Sequence, residues 1–343
     1  MRFFLHLLLC FHQKKLPPVV IVPGLAGSII KNKASNDVVW PPSIPKIMSN
    51  KHKKDLLTFY NNQTHCFYIS NPEEEATGVI IPLYGMMMYR LGTDYTCPYD
   101  FRLLGSGIYV ESLYHRLKLL VERSVETNQG QRCHIVGHSL GGLIVHDFLV
   151  HYCSQSWKDK YIASFISINT PFGGTVNALH LLYTKKVKYP FTTSTIDMSE
   201  FIHCIGGVLW SLPNRYYYPN TVFVDKHGEN YTAADLKKIL RYCSTDNVAA
   251  LYQQHFDRRV MAVRVPNGVK THLLYSTGLP TLLCINEGGG HIIGDGDDTV
   301  DTTSLLLPLK WWECTPKRFT GSHLSVLTNP DVINYIIEIV RLG

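Results

Sequence analysis

The segment Gly137-His138-Ser139-Leu140-Gly141 places a serine between two glycines in the pattern G-x-S-x-G. In this pattern the serine lies on a tight turn between a strand and a helix, where its hydroxyl is exposed for nucleophilic attack. Side chains two positions either side of it would collide in that turn, so glycine is required at both. A β-branched run precedes the segment and an apolar stretch follows it. We therefore predict that Ser139 is a nucleophile; the alternative is a plain structural turn.

A serine hydroxyl is a weak nucleophile until a base accepts its proton. With this type of turn, the partners follow the serine in the chain order acid and then histidine. The chain contains 16 histidines, but His323 is the only one beyond Asp297. It follows a polar turn and precedes an apolar stretch, 332–342, that has the pattern of a terminal helix. His323 is the predicted base; the alternative is a histidine on a surface loop.

A carboxylate must orient the histidine ring and stabilise the imidazolium that forms on it. The loop 294–301 follows a late strand and concentrates four carboxylates, Asp295, Asp297, Asp298 and Asp301. We predict that the acid is one of them. Physical reasoning from the residues alone leaves Asp295 and Asp297 as the two candidates.

The same loop has a rival interpretation as a calcium site. Asp295, Asp297 and Thr299 have the spacing with which a calcium-binding loop begins. Val300 replaces the glycine that such a loop requires, and Leu306 stands where its bidentate glutamate belongs. None of the nine cysteines forms a C-x-x-C pair that would indicate zinc or redox chemistry. The sequence therefore predicts neither a metal site nor a cofactor.

Attack on an ester carbonyl creates an oxyanion, which backbone N–H groups must stabilise. One donor is expected from Leu140, the residue directly after the nucleophile. The second is expected from the turn after an early strand, and Pro23-Gly24-Leu25-Ala26-Gly27 is such a turn. Leu25 is its predicted donor. The alternative is a turn that merely ends a strand.

Short β-branched runs that end at glycine or a turn predict strands at 19–22, 133–136, 165–168 and 272–275. Continuous apolar runs of this kind are typical of strands buried on both faces of a parallel sheet. Helical spacing predicts a helix at 109–127, in which five apolar residues share one face: Leu113, Leu117, Leu120, Val121 and Val125. Another apolar helical stretch, 140–152, starts directly after Ser139. This alternation predicts an α/β fold with a doubly wound, mostly parallel sheet, of the α/β-hydrolase type.

Two stretches interrupt the alternation of strands and helices. Residues 31–77 are polar, lysine-rich and broken by prolines, and we interpret them as a loop-rich, lid-like insertion. Residues 177–260 hold irregular aromatic segments and are interpreted as a cap over the sheet. Residues 1–16 contain a short apolar stretch typical of an imperfect signal or anchor segment, and too short to span a bilayer. The predicted organisation is a single domain over 17–343.

Composition narrows the class of protein. Hydrophobic residues make up 45% of the 343 residues and charged ones 17%, which excludes a disordered chain. The net charge of +6 includes only two short lysine clusters, at 51–54 and 185–188, so nucleic-acid binding is not predicted. Solvated loops explain both clusters, and an anionic lipid surface is the functional alternative. Two sequons, at Asn62 and Asn230, and the scattered cysteines favour a secreted or endomembrane location, the lysosomal lumen included, with the cytoplasm as the alternative.

From about residue 17 onward, the chain resembles the lecithin–cholesterol acyltransferase family, which includes lysosomal phospholipases and diacylglycerol-using acyltransferases. The segments that carry the resemblance are Pro18-Val19-Val20-Ile21-Val22-Pro23-Gly24, Pro98-Tyr99-Asp100-Phe101-Arg102, Trp157-Lys158-Asp159-Lys160-Tyr161, Thr170-Pro171-Phe172-Gly173-Gly174, the sequon at Asn230 and the loop 294–300. The family's acid in that loop matches Asp297, which makes Asp295 a turn residue, and its histidine matches His323. The resemblance implies a lipid O-acyltransferase or phospholipase A with a triad of Ser139, Asp297 and His323.

The chain also departs from the family pattern. The acid is followed by Asp298 instead of glycine, which adds a negative charge beside it. The stretch 85–98 is shorter than in the family, which predicts that a helix is absent and that one side of the sheet is thinly covered. The lid-like insertion holds only Cys66, so the family's lid disulfide cannot form there. Cys284 and Cys314 flank the acid loop and are the predicted candidates for a bridge.

The predicted reaction transfers a fatty acyl group from a glycerophospholipid, through an acyl-Ser139 intermediate, to a lipid alcohol such as a sterol or to water. The resemblance implies the phospholipid donor, and with it peripheral binding to a membrane or lipoprotein surface. Two alternatives remain at this level. A soluble serine esterase of the same fold would use the same residues on small substrates, and a non-catalytic relative would bind lipid without turning it over.

Overall fold

The computed structural model describes residues 16–43, 58–61, 63, 66–69, 71–188, 195–197, 206–218, 220–243, 252, 266–287 and 290–342. The predicted signal segment, apart from residue 16, and the lysine cluster at 51–54 lie outside the described residues, as do Asn62 and Thr64 of the first sequon. Within the described part of the chain, no helix combines the length and the apolar character needed to cross a bilayer.

Among the described residues, six strands come first along the chain, and helices and strands are interspersed after them. The strands are β1 (Val19–Val22), β2 (Ser28–Asn32), β3 (Val38–Trp40), β4 (Thr58–Asn61), β5 (Cys66–Ile69), β6 (Glu74–Val79), β7 (Cys133–His138), β8 (Ile162–Ile168), β9 (Lys186–Lys188), β10 (Thr195–Asp197), β11 (Val222–Lys226), β12 (Glu229–Thr232), β13 (Lys270–Ser276), β14 (Leu279–Asn286), β15 (Ile292–Gly296) and β16 (Thr315–Phe319). The α-helices are α1 (Ile81–Leu91), α2 (Gly107–Thr127), α3 (Leu140–Asp147), α4 (Gln155–Tyr161), α5 (Val176–Thr184), α6 (Gly206–Trp210), α7 (Leu236–Cys243), α8 (Thr302–Leu306) and α9 (Pro330–Leu342).

The central sheet is parallel, with the strand order β1-β7-β8-β13-β16. The strands β1, β7, β8 and β13 are largely buried, whereas the edge strand β16 is mostly exposed. In β1, Val20 and Val22 pack into one core cluster, whereas Val19 and Ile21 pack into another on the opposite face. The helix α2 lies over the first cluster, and its predicted face is buried at every position except Leu120, which is half-buried. The prediction of a doubly wound parallel sheet is confirmed.

The second face of the sheet carries α1 and α9. Tyr84, Met87 and Leu91 of α1 are buried in the same cluster as Ile333 and Ile336 of α9. The prediction that this side is thinly covered is wrong, because α1, a helix of 11 residues that extends into the short stretch, packs on this face together with α9. Beyond that helix, Thr96 forms a parallel bridge with Ile21 and so extends the edge of the sheet.

The insertion predicted to be rich in loops contains regular strands. The strands β2, β3 and β6 form an antiparallel sheet, and β4 pairs with β5 in a hairpin. Glu74 of β6 is anchored to the core by Arg102, whose buried guanidinium lies 2.8 Å from Glu74 and 2.6 Å from Asp100. Two carboxylates thus share one buried cation. Removal of any one of the three charged side chains would destabilise the fold, because it would leave a buried charge uncompensated. This cluster fixes the position of the segment that follows Thr96.

The stretch between β13 and the acid loop, for which the sequence predicted no regular element, contains two strands. There β14 and β15 form a hairpin that joins β11 and β12 in a four-stranded sheet. Cys284 belongs to this sheet, whereas Cys314 precedes the edge strand of the central sheet. Both are free thiols, so the predicted bridge between them is absent. The other described cysteines whose state the structure gives, Cys97, Cys133 and Cys153, are also free thiols.

Candidate active site

Ser139 lies on a strained turn between β7 and α3. Its φ of 52° and ψ of −128° place a non-glycine residue in a sparsely populated backbone region, a conformation that costs on the order of 1–3 kcal/mol and is held by its surroundings. A Cβ atom on Gly141 would lie 2.3 Å from the carbonyl oxygen of Pro23, and one on Gly137 would lie 2.7 Å from the Cα of Gly142. Both glycines of the motif are therefore required by close backbone contacts.

His323 connects Ser139 to Asp297. The Nε2 atom of His323 lies 2.8 Å from the Oγ of Ser139, and its Nδ1 atom lies 2.6 Å from Oδ2 of Asp297. A carboxylate can only accept, so Nδ1 carries the proton and the Nε2 lone pair faces the serine hydroxyl. All three side chains are buried, with Asp297 fully so. This arrangement can take a proton from the serine and stabilise the resulting imidazolium.

The acid loop holds Asp297 rigidly. Its Oδ1 atom accepts hydrogen bonds from the backbone N–H groups of Thr299 at 3.0 Å and Val300 at 2.6 Å. The backbone N–H of His323 in turn donates to the carbonyl oxygen of Asp297 at 2.7 Å. The loop therefore fixes both the carboxylate and the main chain of the histidine that it orients.

The other carboxylates of the loop have different partners. Asp295 accepts hydrogen bonds from the N–H of Gly278 at 2.6 Å and from the hydroxyl of Thr302 at 2.8 Å. Asp301 caps α8 by accepting from the N–H of Ser304 at 3.0 Å. The structure thus brings Asp297 to His323 and keeps Asp295 away from it. Within the described residues, no group of three or more His, Cys, Asp or Glu side chains could hold a metal ion.

Burial and charge act in opposite directions on His323. Burial of the ring lowers its pKa, but the charge of Asp297 and the hydrogen bond to it raise the pKa, and the charge of Asp298 adds to this effect. The net result is a pKa above the ordinary value of 6.5. Asp298 adopts a φ of 78°, in the left-handed region where glycine is favoured and aspartate is among the better tolerated alternatives.

We predict a pH profile that follows from this raised pKa. His323 must be neutral to accept the serine proton, so kcat/KM should fall as the pH is lowered through its raised pKa, with the acid limb centred above 6.5. The Asp298→Asn variant should move that limb to lower pH. The measurement is kcat/KM against pH on a soluble ester, with the exposed Asp94→Asn as the control. A limb at or below 6.5, or equal shifts in both variants, would contradict the prediction.

The two predicted oxyanion donors lie on turns that flank Ser139. Leu140 is the first residue of α3, where backbone N–H groups have no intrahelical acceptor. Leu25 lies in the turn 23–27, where the Tyr99 hydroxyl donates to the carbonyl of Pro23 at 3.0 Å and the Trp40 indole donates to that of Ala26 at 2.8 Å. In the described part of the chain, neither Leu25 nor Leu140 donates its N–H to a protein acceptor. This is what the predicted role as oxyanion donors requires.

An apolar cavity of about 460 Å³ adjoins the turn 23–27. Its walls include Leu25, Ala26, Trp40, Ile81 and Leu324. Leu25 is itself an expected oxyanion donor and Leu324 directly follows His323, so the cavity adjoins both the expected donor and the expected base. Sequence reasoning missed it because its walls come from the turn, β3, α1 and the loop before α9, which share no motif.

The parallel sheet, the strained serine turn and the order of Ser139, Asp297 and His323 along the chain define an α/β-hydrolase. Residues 85–266 match the family model of lecithin:cholesterol acyltransferase, a span of more than half of the chain. The chain belongs to this family. The match includes Ser139 and ends before Asp297 and His323.

Individual relatives agree with the family assignment. Phosphatidylcholine-sterol acyltransferase of Gallus gallus is 30% identical over 254 residues, which cover 71% of this chain and 59% of the relative, so the chain spans less than two thirds of that protein. Lysosomal phospholipase A and acyltransferase of Homo sapiens is 28% identical over 385 aligned positions, which cover 94% of this chain and 90% of the relative. A solved structure described as the Tle4-Tli4 complex is similar in fold, with a TM-score of 0.54 and 11% identity. The match covers 95% of this chain and 98% of the chain in that structure.

Proposed function

We propose that the protein is a serine-dependent lipid acyl hydrolase or acyltransferase. It would transfer a fatty acyl group from a glycerophospholipid through acyl-Ser139 to a lipid alcohol or to water. The observation that carries this proposal is the position of His323, within 2.8 Å of the Ser139 hydroxyl and 2.6 Å of the Asp297 carboxylate. Three side chains distant in sequence meet there in the geometry that nucleophilic acyl transfer requires.

In the first half-reaction, Ser139 Oγ attacks the ester carbonyl carbon while its proton moves to Nε2 of His323. The carbonyl oxygen becomes an oxyanion, which the N–H groups of Leu25 and Leu140 stabilise. Asp297 stabilises the imidazolium by accepting the Nδ1 hydrogen bond. When the intermediate collapses, the bond to the lysolipid oxygen breaks, and His323 returns its proton to that oxygen. The acyl group remains on Ser139.

In the second half-reaction, His323 removes a proton from the acceptor hydroxyl, whose oxygen attacks the acyl-serine. Collapse of this intermediate releases Ser139 as a hydroxyl and yields a fatty acid from water or a new ester from an alcohol. The ratio of transfer to hydrolysis depends on how far the active site excludes water while it admits a lipid hydroxyl. A sterol or another lipid alcohol fits the scheme equally well.

The apolar cavity supports a lipid substrate. Its walls are almost entirely aliphatic or aromatic, as suits a fatty acyl chain. Two of its wall residues, Ile81 and Leu324, are 57% and 42% exposed, and apolar residues exposed beside a cavity are typical of a lipid- or partner-binding surface. The names of the relatives, phosphatidylcholine-sterol acyltransferase and lysosomal phospholipase A and acyltransferase, point the same way. A membrane or lipoprotein surface is the proposed site of action.

The sequon at Asn230 supports an extracellular or luminal location. Asn230 is exposed in the hairpin of β11 and β12, so its side chain is accessible for glycosylation. We therefore propose a secreted protein, with the endomembrane lumen as the alternative.

The test is incubation of the protein with vesicles of acyl-labelled phosphatidylcholine, with and without a sterol or another lipid alcohol. Free labelled fatty acid reports hydrolysis, and a new labelled ester reports transfer to the alcohol. We expect at least one of these products and none with the Ser139→Ala variant. A short soluble ester serves as the comparison substrate.

The outcomes separate the three candidate functions. Turnover of the long-chain phospholipid supports the proposal. Turnover of the short ester alone would identify a soluble esterase, and vesicle binding without any turnover would identify a non-catalytic lipid-binding protein. Either of the last two results would overturn the proposal.

A further inference from the structure

A chain of buried hydrogen bonds runs behind the proposed catalytic residues. The backbone N–H of Gly24 donates to the Tyr84 hydroxyl at 2.8 Å, and that hydroxyl lies 3.1 Å from Nδ1 of His138. On the other side of the ring, Nε2 of His138 lies 2.9 Å from the carbonyl oxygen of His323. Tyr84 is 1% exposed and His138 is 2% exposed. The proposed mechanism uses neither side chain.

The partners determine where each proton lies. The carbonyl oxygen of His323 can only accept, so the proton of His138 is on Nε2. Nδ1 of the neutral ring is then an acceptor, and the Tyr84 hydroxyl donates to it while accepting from Gly24. Each polar atom in this series of hydrogen bonds therefore has one defined role as donor or acceptor.

The surroundings keep His138 neutral. Burial and the nearby His323 lower its pKa, the hydrogen bond to the His323 carbonyl opposes them, and the net result is a pKa of about 3. The ring centroids of His138 and His323 are 5.0 Å apart. A second positive charge at that distance would oppose the imidazolium that forms on His323. A neutral, hydrogen-bonded ring can hold the neighbouring main chain without this repulsion.

The contacts join parts of the chain that are distant in sequence. Gly24 precedes Leu25 in the turn 23–27, Tyr84 belongs to α1, and His138 directly precedes Ser139. A Cβ atom on Gly24 would lie 2.9 Å from Nδ1 of His138 and 3.0 Å from the Cβ of Ser139, so the turn is in direct contact with the serine. The carbonyl of Gly27 also accepts from the N–H of Ile80 at 2.9 Å, which gives the turn a second attachment beside α1.

We propose that Tyr84 and His138 are positioning residues that hold the turn 23–27 and the main chain of His323 at fixed distances on either side of Ser139. This inference rests on the proposed function, because it assigns the two residues to the same reaction. We call the pair the Tyr84–His138 relay. Its effect is on the transition state, in which the oxyanion donor and the base must be placed together, and small displacements there can cost about a hundredfold in rate.

The test compares Tyr84→Phe, His138→Gln and the double variant on a soluble ester. Tyr84→Phe keeps the ring and removes the one hydroxyl. Glutamine at 138 can place its amide N–H where Nε2 donates to the His323 carbonyl, but it has no acceptor at the position of Nδ1, which faces Tyr84. We expect each single variant to lower kcat by about tenfold to a hundredfold with KM nearly unchanged. Because the residues act as a unit, the double variant should lose little more than either single one.

The matched control is Tyr114→Phe, which removes another buried tyrosine hydroxyl. Tyr114 lies in the core cluster on the opposite face of the sheet, and its hydroxyl donates to Asp147. Melting temperatures are measured for all variants. If Tyr84 and His138 only stabilise the fold, Tyr84→Phe and Tyr114→Phe should lower the melting temperature by similar amounts, and both variants should keep the wild-type kcat. That result, or additive losses in the double variant, would overturn the proposal.

A second measurement does not depend on catalysis. In ¹⁵N-histidine-labelled protein, His138 should be neutral with its proton on Nε2 from pH 8 down to about pH 5, and Tyr84→Phe should change its ¹⁵N shifts. If the wild-type protein shows no Ser139-dependent turnover, the proposed function fails, and the spectrum still decides the relay. A proton on Nδ1, or a charged His138 at neutral pH, would overturn it.

Discussion

The Ser139→Ala variant should lose ester turnover almost completely, by roughly 10⁶-fold in kcat if the three residues act as they do in well-studied serine enzymes. The physical reason is that no other group is placed to attack. The hydroxyl that His323 faces at 2.8 Å would be gone, while the oxyanion donors and the cavity would remain. Substrate binding should therefore be little changed. The loss is measured as kcat on a short soluble ester and on phosphatidylcholine vesicles.

The matched control for this change is Ser124→Ala. Ser124 is fully buried in α2, its hydroxyl donates to the carbonyl of Val121, and it has no part in the proposed mechanism. Its replacement should leave kcat within about twofold of the wild-type value. Residual turnover in Ser139→Ala above about a thousandth of the wild-type rate would mean that another nucleophile operates.

The second large effect is expected for Asp297→Asn, which should lower kcat by about 10⁴-fold. Asparagine has nearly the same shape, but its amide group can donate to Nδ1 of His323 and so favour the wrong tautomer. The Nε2 lone pair then no longer faces the serine. The negative charge that stabilises the imidazolium is lost as well. Melting temperature should be reported beside kcat, because Asp297 also accepts two backbone hydrogen bonds of its loop.

Asp295→Asn is the control that makes this result specific. Asp295 lies two residues away in the same loop, and its carboxylate accepts from Gly278 and Thr302 instead of from the histidine. Its replacement should alter kcat by less than about threefold. Equal losses in the two variants would show that the whole loop, and not one carboxylate, sets the rate.

The architecture could be predicted well from the sequence because its signals are local. Apolar β-branched runs with glycine at their ends marked the central strands, and helical spacing marked α2. The serine motif led to Ser139, and the chain order serine, acid, histidine that accompanies this motif led to His323, the single histidine near the end of the chain. The choice between Asp295 and Asp297 was different. It needed the resemblance, because the path of the loop decides which carboxylate faces the ring.

Features that depend on contacts between distant segments were missed or predicted wrongly. Cys284 and Cys314 flank the acid loop in sequence, yet the unpredicted hairpin of β14 and β15 places Cys284 in another sheet. The short stretch before Pro98 still forms α1. Within that helix, Tyr84 has the pattern of an ordinary core residue, because nothing in the sequence marks its hydroxyl as a partner of Gly24 and His138. Hydrogen bonds of that kind become visible only in three dimensions.

The most direct test of the central claim is the identity of the atom that carries the acyl group. A fluorophosphonate lipid analogue reacts irreversibly with an activated serine, and tandem mass spectrometry locates the adduct on the chain. We predict one adduct per protein, on Ser139, with turnover lost in proportion to its formation. An adduct on a different residue, or complete loss of turnover with Ser139 unmodified, would contradict the proposed role of Ser139, His323 and Asp297.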